Sequence, residues 1–291
     1  MSISRIGVIG AGLMGNGIAH AGLAAGLNVT LVDAFEAALP KAVATMTKNM
    51  DRQVAKGALT VEAKDAALAR LVTATDYAAL AGAEVIIEAV PERESLKAEI
   101  YKALQPVMGP DTILASNTSS ISITRLGAIS GRADKFIGMH FFNPVPVMKL
   151  VEIIRGIATS DATFGLVYEL AARLGKTVAT AEDSPGFIVN RILCPMLNEA
   201  IFALQEGIGN VASIDAGMKL GANHPMGPLE LADFVGLDTL LSVMRVLHNG
   251  LGEDKYRPCP LLVKYVEAGW HGRKSGKGFY DYSVTPPTPS R

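Results

Sequence analysis

His140 and Glu152 bracket the run HFFNPVPVMKLVE, which sets a proton-exchanging ring and a carboxylate in one short stretch of chain. Histidine takes up and returns a proton near neutrality, and a carboxylate at one ring nitrogen fixes the tautomer at the other. Near the start, GVIGAGLMG carries Gly10, Gly12 and Gly15 in the G-x-G-x-x-G spacing of a dinucleotide-binding turn. The two features are chemically complementary. A nicotinamide accepts only the hydride when an alcohol is oxidised, so another group must take the hydroxyl proton. Taken singly, the histidine reads as a strand end and the glutamate as a surface charge; their company with the glycine turn favours chemistry.

Such residues need a rigid frame. Residues 5–9 and 29–32 are β-rich runs on either side of an alanine-rich helical segment at 15–26, which together read as a βαβ unit. Further strands are expected at 71–74, 84–89, 112–116, 136–139, 150–154 and 177–180, with helical patterns or turns between them. The pattern specifies an α/β fold, a doubly wound Rossmann-type domain over residues 1–183. Residues 36–56 and 61–70 read as two helices joined by KGALT, a pair expected to project from that domain.

After Thr180 the β signal ends. Ser184 and Pro185 read as N-cap and first turn of a helix through FIVNRILCPMLNEAIFALQEG, kinked at Pro195. The following segments are helical, broken at GANHPMGP and KYRPCP, so residues 184–283 are expected to form a smaller all-α domain. The proline-rich VTPPTPSR, residues 284–291, reads as a disordered tail.

Composition limits the partners. A chain of 291 residues, 49% hydrophobic, has enough apolar surface for two cores. Its net charge of −1 offers no basic field for nucleic acid or anionic membrane. No apolar run reaches membrane-spanning length, and the apolar stretch from Ile6 leaves no room for a leader segment before it. Cys194 and Cys259 have no CxxC pairing and no histidine at ligand spacing, which argues against a zinc site or a disulfide framework and suits a reducing cytoplasm. The expected partner is a small molecule.

In the glycine turn, Gly10 permits the bend, Gly12 lets backbone amides approach a pyrophosphate, and Gly15 lets the helix pack close; Leu13 and Met14 belong to the same cofactor contact. Asp33, after the second strand, suits a ribose diol and would repel a 2′-phosphate. No Arg or Lys occurs from Ala34 to Pro40, so NAD is expected over NADP. SNTSSISI follows the strand at 112–116, where doubly wound sheets place ligand contacts, so Asn117, Thr118, Ser119 and Ser120 are candidates; one of the four is expected to cap the next helix. Asn190 reads either as a substrate contact or as an interdomain hydrogen bond. His20, His224, His248 and His271 have no metal-ligand neighbours and read as structural.

In order along the chain stand GVIGAGLMGNGIA, SNTSSISIT, GMHFFNPVPVMKLVEII, EDSPGFIVNRIL, MGPLELADFVGLDT and GRKSGKGFYDY. With these blocks the sequence resembles the L-3-hydroxyacyl-CoA dehydrogenase family over essentially all but its terminal tail. The resemblance implies NAD-linked interconversion of a short-chain 3-hydroxyacyl-CoA and its 3-oxoacyl-CoA, at a site between the two domains. It implies that His140 is the base, that Glu152 holds and polarises it, and that Ser119 and Asn190 position substrate oxygens. Glu92, Lys97, Asn143 and Lys274 match cofactor positions, and Lys56 matches a lysine that contacts coenzyme A. Asn49 stands where some relatives carry a serine on the same ligand. The helical domain would form a homodimer. Two other readings use the same residues: a dehydrogenase of a free hydroxy acid such as a sugar acid, and an NAD-binding protein without catalysis. The catalytic-lysine motif of the sister group of 3-hydroxyisobutyrate and 6-phosphogluconate dehydrogenases is not found.

Overall fold

Short runs that are apolar at nearly every position need cover on both faces, and the central strands here receive it. The computed structural model describes residues 3–290. It divides into a first unit running to Ser184 and a second beginning at Pro185. The first contains β1 (Arg5–Ile9), α1 (Leu13–Ala24), β2 (Asn28–Val32), α2 (Ala38–Ala55), α3 (Val61–Leu68), β3 (Leu71–Ala74) and β4 (Val85–Glu88). It continues with α4 (Glu94–Leu104), β5 (Ile113–Ser116), α5 (Ile123–Ser130), β6 (Phe136–Phe141), β7 (Leu150–Arg155), α6 (Asp161–Arg173) and β8 (Thr177–Glu182).

The strands form one sheet in the order β3-β2-β1-β4-β5-β6-β7-β8. Every neighbouring pair is parallel except β6 and β7. Alternate residues serve opposite faces. Val85 and Ile87, Ile113 and Ala115, Ile137 and Met139, and Val151 and Ile153 join the core that also takes in Ile18, Met46 and Val167 from α1, α2 and α6. The intervening Leu114, Phe136 and Ile154 are equally buried. On that other face Tyr101 of α4 meets Phe136 edge-on at 5.6 Å, and Ile123 of α5 lies against Gly138. Helices therefore cover both faces of the sheet, as the doubly wound reading requires.

The helical pair is anchored on the domain by an apolar stripe. Leu39, Ala42, Met46 and Met50 of α2 recur at helical spacing and are buried in the main core together with Ala67 of α3. Asn16 of α1 donates from its amide nitrogen to the Ala42 carbonyl at 2.6 Å. A stripe of four apolar residues cannot be left in water, and packing on α1 covers it.

The second unit contains α7 (Val189–Gln205), α8 (Val211–Ala216), α9 (Pro228–Val235), α10 (Leu237–Leu251) and α11 (Pro260–Glu267), followed by β9 (Tyr280–Asp281) and β10 (Thr288–Pro289). Leu197, Ile201, Leu229, Leu240, Met244, Leu262 and Phe279 make its core. Two expectations need correction here. Ser184 and Pro185 do not start the helix: Gly186 and Phe187 adopt φ values of +77° and +51°, a left-handed turn, and α7 begins only at Val189, with Pro195 inside it. The tail is not disordered as far as Ser290. Strand β10 pairs antiparallel with β9, and the Ser290 amide donates to the Phe279 carbonyl at 2.8 Å; Arg291 lies outside the described residues. The reason is a fixed edge. The buried Asp233 carboxylate accepts hydrogen bonds from the amides of Phe279 and Tyr280 and from the Tyr282 hydroxyl, at 2.9–3.0 Å, and holds β9 for the tail to join.

Candidate active site

The reversal of β7 brings the acid–base candidates together. Its register with β6 sets His140 directly opposite Glu152 and Phe141 opposite Val151. Opposed residues in an antiparallel pair project to the same face at contact distance. His140 Nδ1 lies 2.7 Å from Glu152 Oε2, with the histidine side chain 9% exposed and the glutamate fully buried. An ionised carboxylate only accepts, so the proton of this bond belongs on Nδ1. The Phe142 ring packs beside the imidazole, 4.6 Å between centroids.

Counting along the pleat shows what shares this face. In β4, β5, β6 and β7 the positions alternating with the α1-side core include Glu88, Ser116, His140 and Glu152, all buried. Asn117 then ties two strand ends together. Its backbone amide donates to the Glu88 carbonyl at 2.8 Å, and its side-chain oxygen accepts from the amide of Phe141, next to His140, at 2.9 Å.

The serine loop hangs from Glu92. One Glu92 oxygen accepts from the Thr118 hydroxyl, from the Ser119 and Ser120 amides at 2.9 and 3.1 Å, and from the Ser120 hydroxyl at 2.9 Å, while the Ser119 hydroxyl stands 3.4 Å away. None of the four loop residues caps α5, contrary to expectation. Ser122 does so, accepting from the Arg125 amide at 3.2 Å, and Asp183 reinforces the helix start through the amides of Ile123 and Thr124. Partial burial pushes the Glu92 carboxyl up, but the Lys97 ammonium and the loop donors more than reverse this, holding it below the ordinary carboxylate range. Its contribution to stability is therefore present at neutral pH and is lost as pH falls through that lowered value. Thermal unfolding followed from pH 7 to about pH 3 should show a native advantage over Glu92→Gln that shrinks below about pH 4.3, the ordinary glutamate value. A constant gap across that range would exclude the linkage.

Lys97 does not face outward. Its side chain is 1% exposed and lies between Glu88, at 2.7 Å, and Glu92, at 3.4 Å. Glu88, which sequence reasoning missed, also accepts from the Val90 amide, the Tyr101 hydroxyl and the Ser116 hydroxyl at 2.8–2.9 Å. A glutamate closing the apolar run VIIE carries no signal that it is buried.

The glycine turn fits a dinucleotide. Gly10 has φ +100°, and a Cβ there would sit 2.7 Å from the Ala89 carbonyl oxygen; a Cβ on Gly15 would strike the Gly10 carbonyl. At Gly12 a Cβ would meet nothing within 4 Å, so the turn leaves open space beside its backbone. Gly12 is also the N-cap of α1, with no side chain capping it, which suits an anion at the helix start; Leu13 is exposed and Met14 half-buried in that first turn. Asp33, just after β2, accepts from the amides of Ala11 and Phe35 at 2.7 and 2.8 Å and so braces the turn. Asp33→Ala should weaken NAD binding about 10–100-fold, the loss of charge-assisted hydrogen bonds, and raise the relative use of NADP. Titrations with both nucleotides would expose an unchanged preference, which would move specificity elsewhere.

Other candidates are spread more widely. Asn143, two positions after β6, is exposed. Asn49 and Lys56 fall seven residues apart at the distal end of α2, on one side of the helix, with Lys56 exposed. In the helical unit Asn190 lies in the first turn of α7, half-buried, and Lys274 pairs with Asp238. His20 is buried with neither ring nitrogen hydrogen-bonded among the described residues, and burial, with Lys176 nearby, pushes its imidazole down. Among the described residues no group of three or more His, Cys, Asp and Glu could hold a metal ion, and no helix is long and apolar enough to cross a membrane.

A dinucleotide turn, an anion-ready helix start and a buried histidine–carboxylate pair at the strand ends together define a nicotinamide-dependent dehydrogenase. Residues 5–184 match the family model "3-hydroxyacyl-CoA dehydrogenase, NAD binding domain", and residues 186–282 match its C-terminal domain. The chain belongs to the 3-hydroxyacyl-CoA dehydrogenase family, and its cofactor is NAD. It is 59% identical over 289 residues to a 3-hydroxybutyryl-CoA dehydrogenase of Bradyrhizobium diazoefficiens, covering 99% of each chain. It is 41% identical to the human mitochondrial hydroxyacyl-coenzyme A dehydrogenase, covering 96% of this chain and 91% of that one. The crystal structure of (S)-3-hydroxybutyryl-CoA dehydrogenase from Ralstonia eutropha superposes with a TM-score of 0.95 at 53% identity, covering 97% of this chain and all of that one.

Proposed function

We propose that this dehydrogenase interconverts (S)-3-hydroxybutyryl-CoA and acetoacetyl-CoA, with His140 as the group that moves the proton. The observation that carries the assignment is the buried His140–Glu152 pair at 2.7 Å. The short acyl chain follows the names of the relatives at 59% and 53% identity.

NAD, when bound, takes the hydride in oxidation and NADH returns it in reduction. The rest of the chemistry falls to the chain. His140 Nε2 accepts the 3-hydroxyl proton in oxidation and delivers a proton to the 3-oxo oxygen in reduction. Glu152 keeps the ring in the accepting tautomer and stabilises the cation that forms when the proton arrives. The Ser119 hydroxyl, held near Glu92, is assigned to the reacting oxygen, and Asn190 to a substrate oxygen on the strength of its motif. The α1 start with Gly12, Leu13 and Met14 takes the pyrophosphate and Asp33 the ribose. Glu92, Asn143 and Lys274 complete the nucleotide contacts, with the buried Lys97 acting behind Glu92. Lys56 and Asn49 take the coenzyme A moiety, where an ammonium suits phosphate.

The helical unit is assigned to substrate binding and dimerisation, supported by the exposed Ile192, Leu220 and Phe234 on its surface. A cytoplasmic setting is consistent with Cys194 and Cys259, both buried and unbridged.

The test is NADH oxidation with acetoacetyl-CoA, longer 3-oxoacyl-CoA thioesters and free acetoacetate. Acetoacetyl-CoA should give the highest kcat/KM. Lys56→Ala should raise its KM several-fold at little-changed kcat, because a contact to a remote phosphate acts equally on ground and transition states. Free acetoacetate turned over as well as the thioester would refute the coenzyme A assignment.

A further inference from the structure

Glu88 is fully buried, yet it is not a lone charge. Its carboxylate accepts from the Val90 amide, the Lys97 ammonium, the Tyr101 hydroxyl and the Ser116 hydroxyl, all at 2.7–2.9 Å. Two of these partners lead onward to the serine loop. Lys97 reaches Glu92, whose oxygen gathers the donors of Thr118, Ser119 and Ser120. The Ser116 hydroxyl, besides donating to Glu88, accepts from the Thr118 amide at 3.3 Å. Both ends of the loop are therefore suspended from one carboxylate, which by pleat parity lies on the same sheet face as His140 and Glu152.

A buried ion pair between flexible side chains is a weak device for stability alone, because desolvation offsets much of the attraction. Its geometry, however, is tightly held: Lys97 lies between two carboxylates, so its direction is set by Glu88 and transmitted to Glu92. We propose that Glu88 is a positioning residue for the dehydrogenase reaction, acting through Lys97 and Ser116 to hold the loop that presents the Ser119 hydroxyl to the reacting oxygen. The proposal rests on the reading of Ser119 as a substrate contact.

The test is a double-mutant cycle on the full-length enzyme with Glu88→Gln, Lys97→Met and the pair combined, with Ser119→Ala as reference. Active enzyme is counted by NADH titration, so loss of folded protein does not enter the rates. Glu88→Gln should lower kcat/KM for acetoacetyl-CoA about 10–100-fold, the scale of a small misplacement of a substrate-positioning group. If Glu88 acts through Lys97, the double variant should lose no more than the more severe single one, within about threefold. Residues acting independently would multiply their losses, and that outcome overturns the proposal while leaving Ser119 its role. An unimpaired Glu88→Gln overturns it too. An unimpaired Ser119→Ala instead overturns the reading of the loop, and the proposal with it. Where Glu88→Gln does not fold, Glu88→Asp carries the same cycle, since it keeps the charge but shortens the reach to Lys97.

Discussion

Replacing His140 by alanine should lower kcat for acetoacetyl-CoA reduction by roughly 10²–10⁴-fold, the usual worth of a positioned general acid or base. NADH affinity should stay near the parent value, because the glycine turn and Asp33 lie on other strands. Stability should change moderately: the ring is buried at the end of β6, and its loss leaves the Glu152 carboxylate without that hydrogen bond in a fully buried site. Circular dichroism and NADH titration separate folding and cofactor binding from turnover. A variant that folds, binds NADH and retains kcat within about threefold would transfer the proton to another group.

Glu152→Gln should cost turnover on a similar scale, about 10²–10⁴-fold, with far less effect on folding. The amide can turn its NH₂ toward Nδ1, which moves the ring proton to Nε2 and converts the acceptor needed for oxidation into a donor. A neutral amide still bonds a neutral imidazole, so unfolding should shift by only about 1 kcal/mol. The decisive comparison is kcat in both directions, at matched saturation with nucleotide. Near-normal kcat in oxidation would remove Glu152 from the pair.

The nucleotide half of this arrangement is legible in the sequence because its constraints are local. Gly10, Gly12 and Gly15 answer to sterics within one turn, and Asp33 follows a recognisable strand. The residues 140 and 152 are legible as candidates, but an apolar run such as LVEII does not declare its direction. What seats Glu152 against His140 is the antiparallel register of β6 and β7, a tertiary fact. Glu88 was hidden for the same reason, since nothing in VIIEAV announces that Lys97, Tyr101 and Ser116 will converge on its end. Local rules misled where long-range contacts intervened. Ser184-Pro185 has good capping chemistry, but Gly186 and Phe187 turn left-handed and delay the helix to Val189. VTPPTPSR has a disordered composition, but a strand fixed by Asp233 offers it an edge.

Had β7 followed β6 through a helical crossover, the distance between His140 and Glu152 would depend on how a helix docks on the sheet. Instead both residues belong to one uninterrupted hairpin, and the backbone ladder that closes it also sets their spacing. The His140–Glu152 pair is thus closed within thirteen consecutive residues, 140–152. The glycine turn and the helical unit contribute no residue to that hairpin. Changes elsewhere that leave β6 and β7 paired leave the two side chains opposite one another.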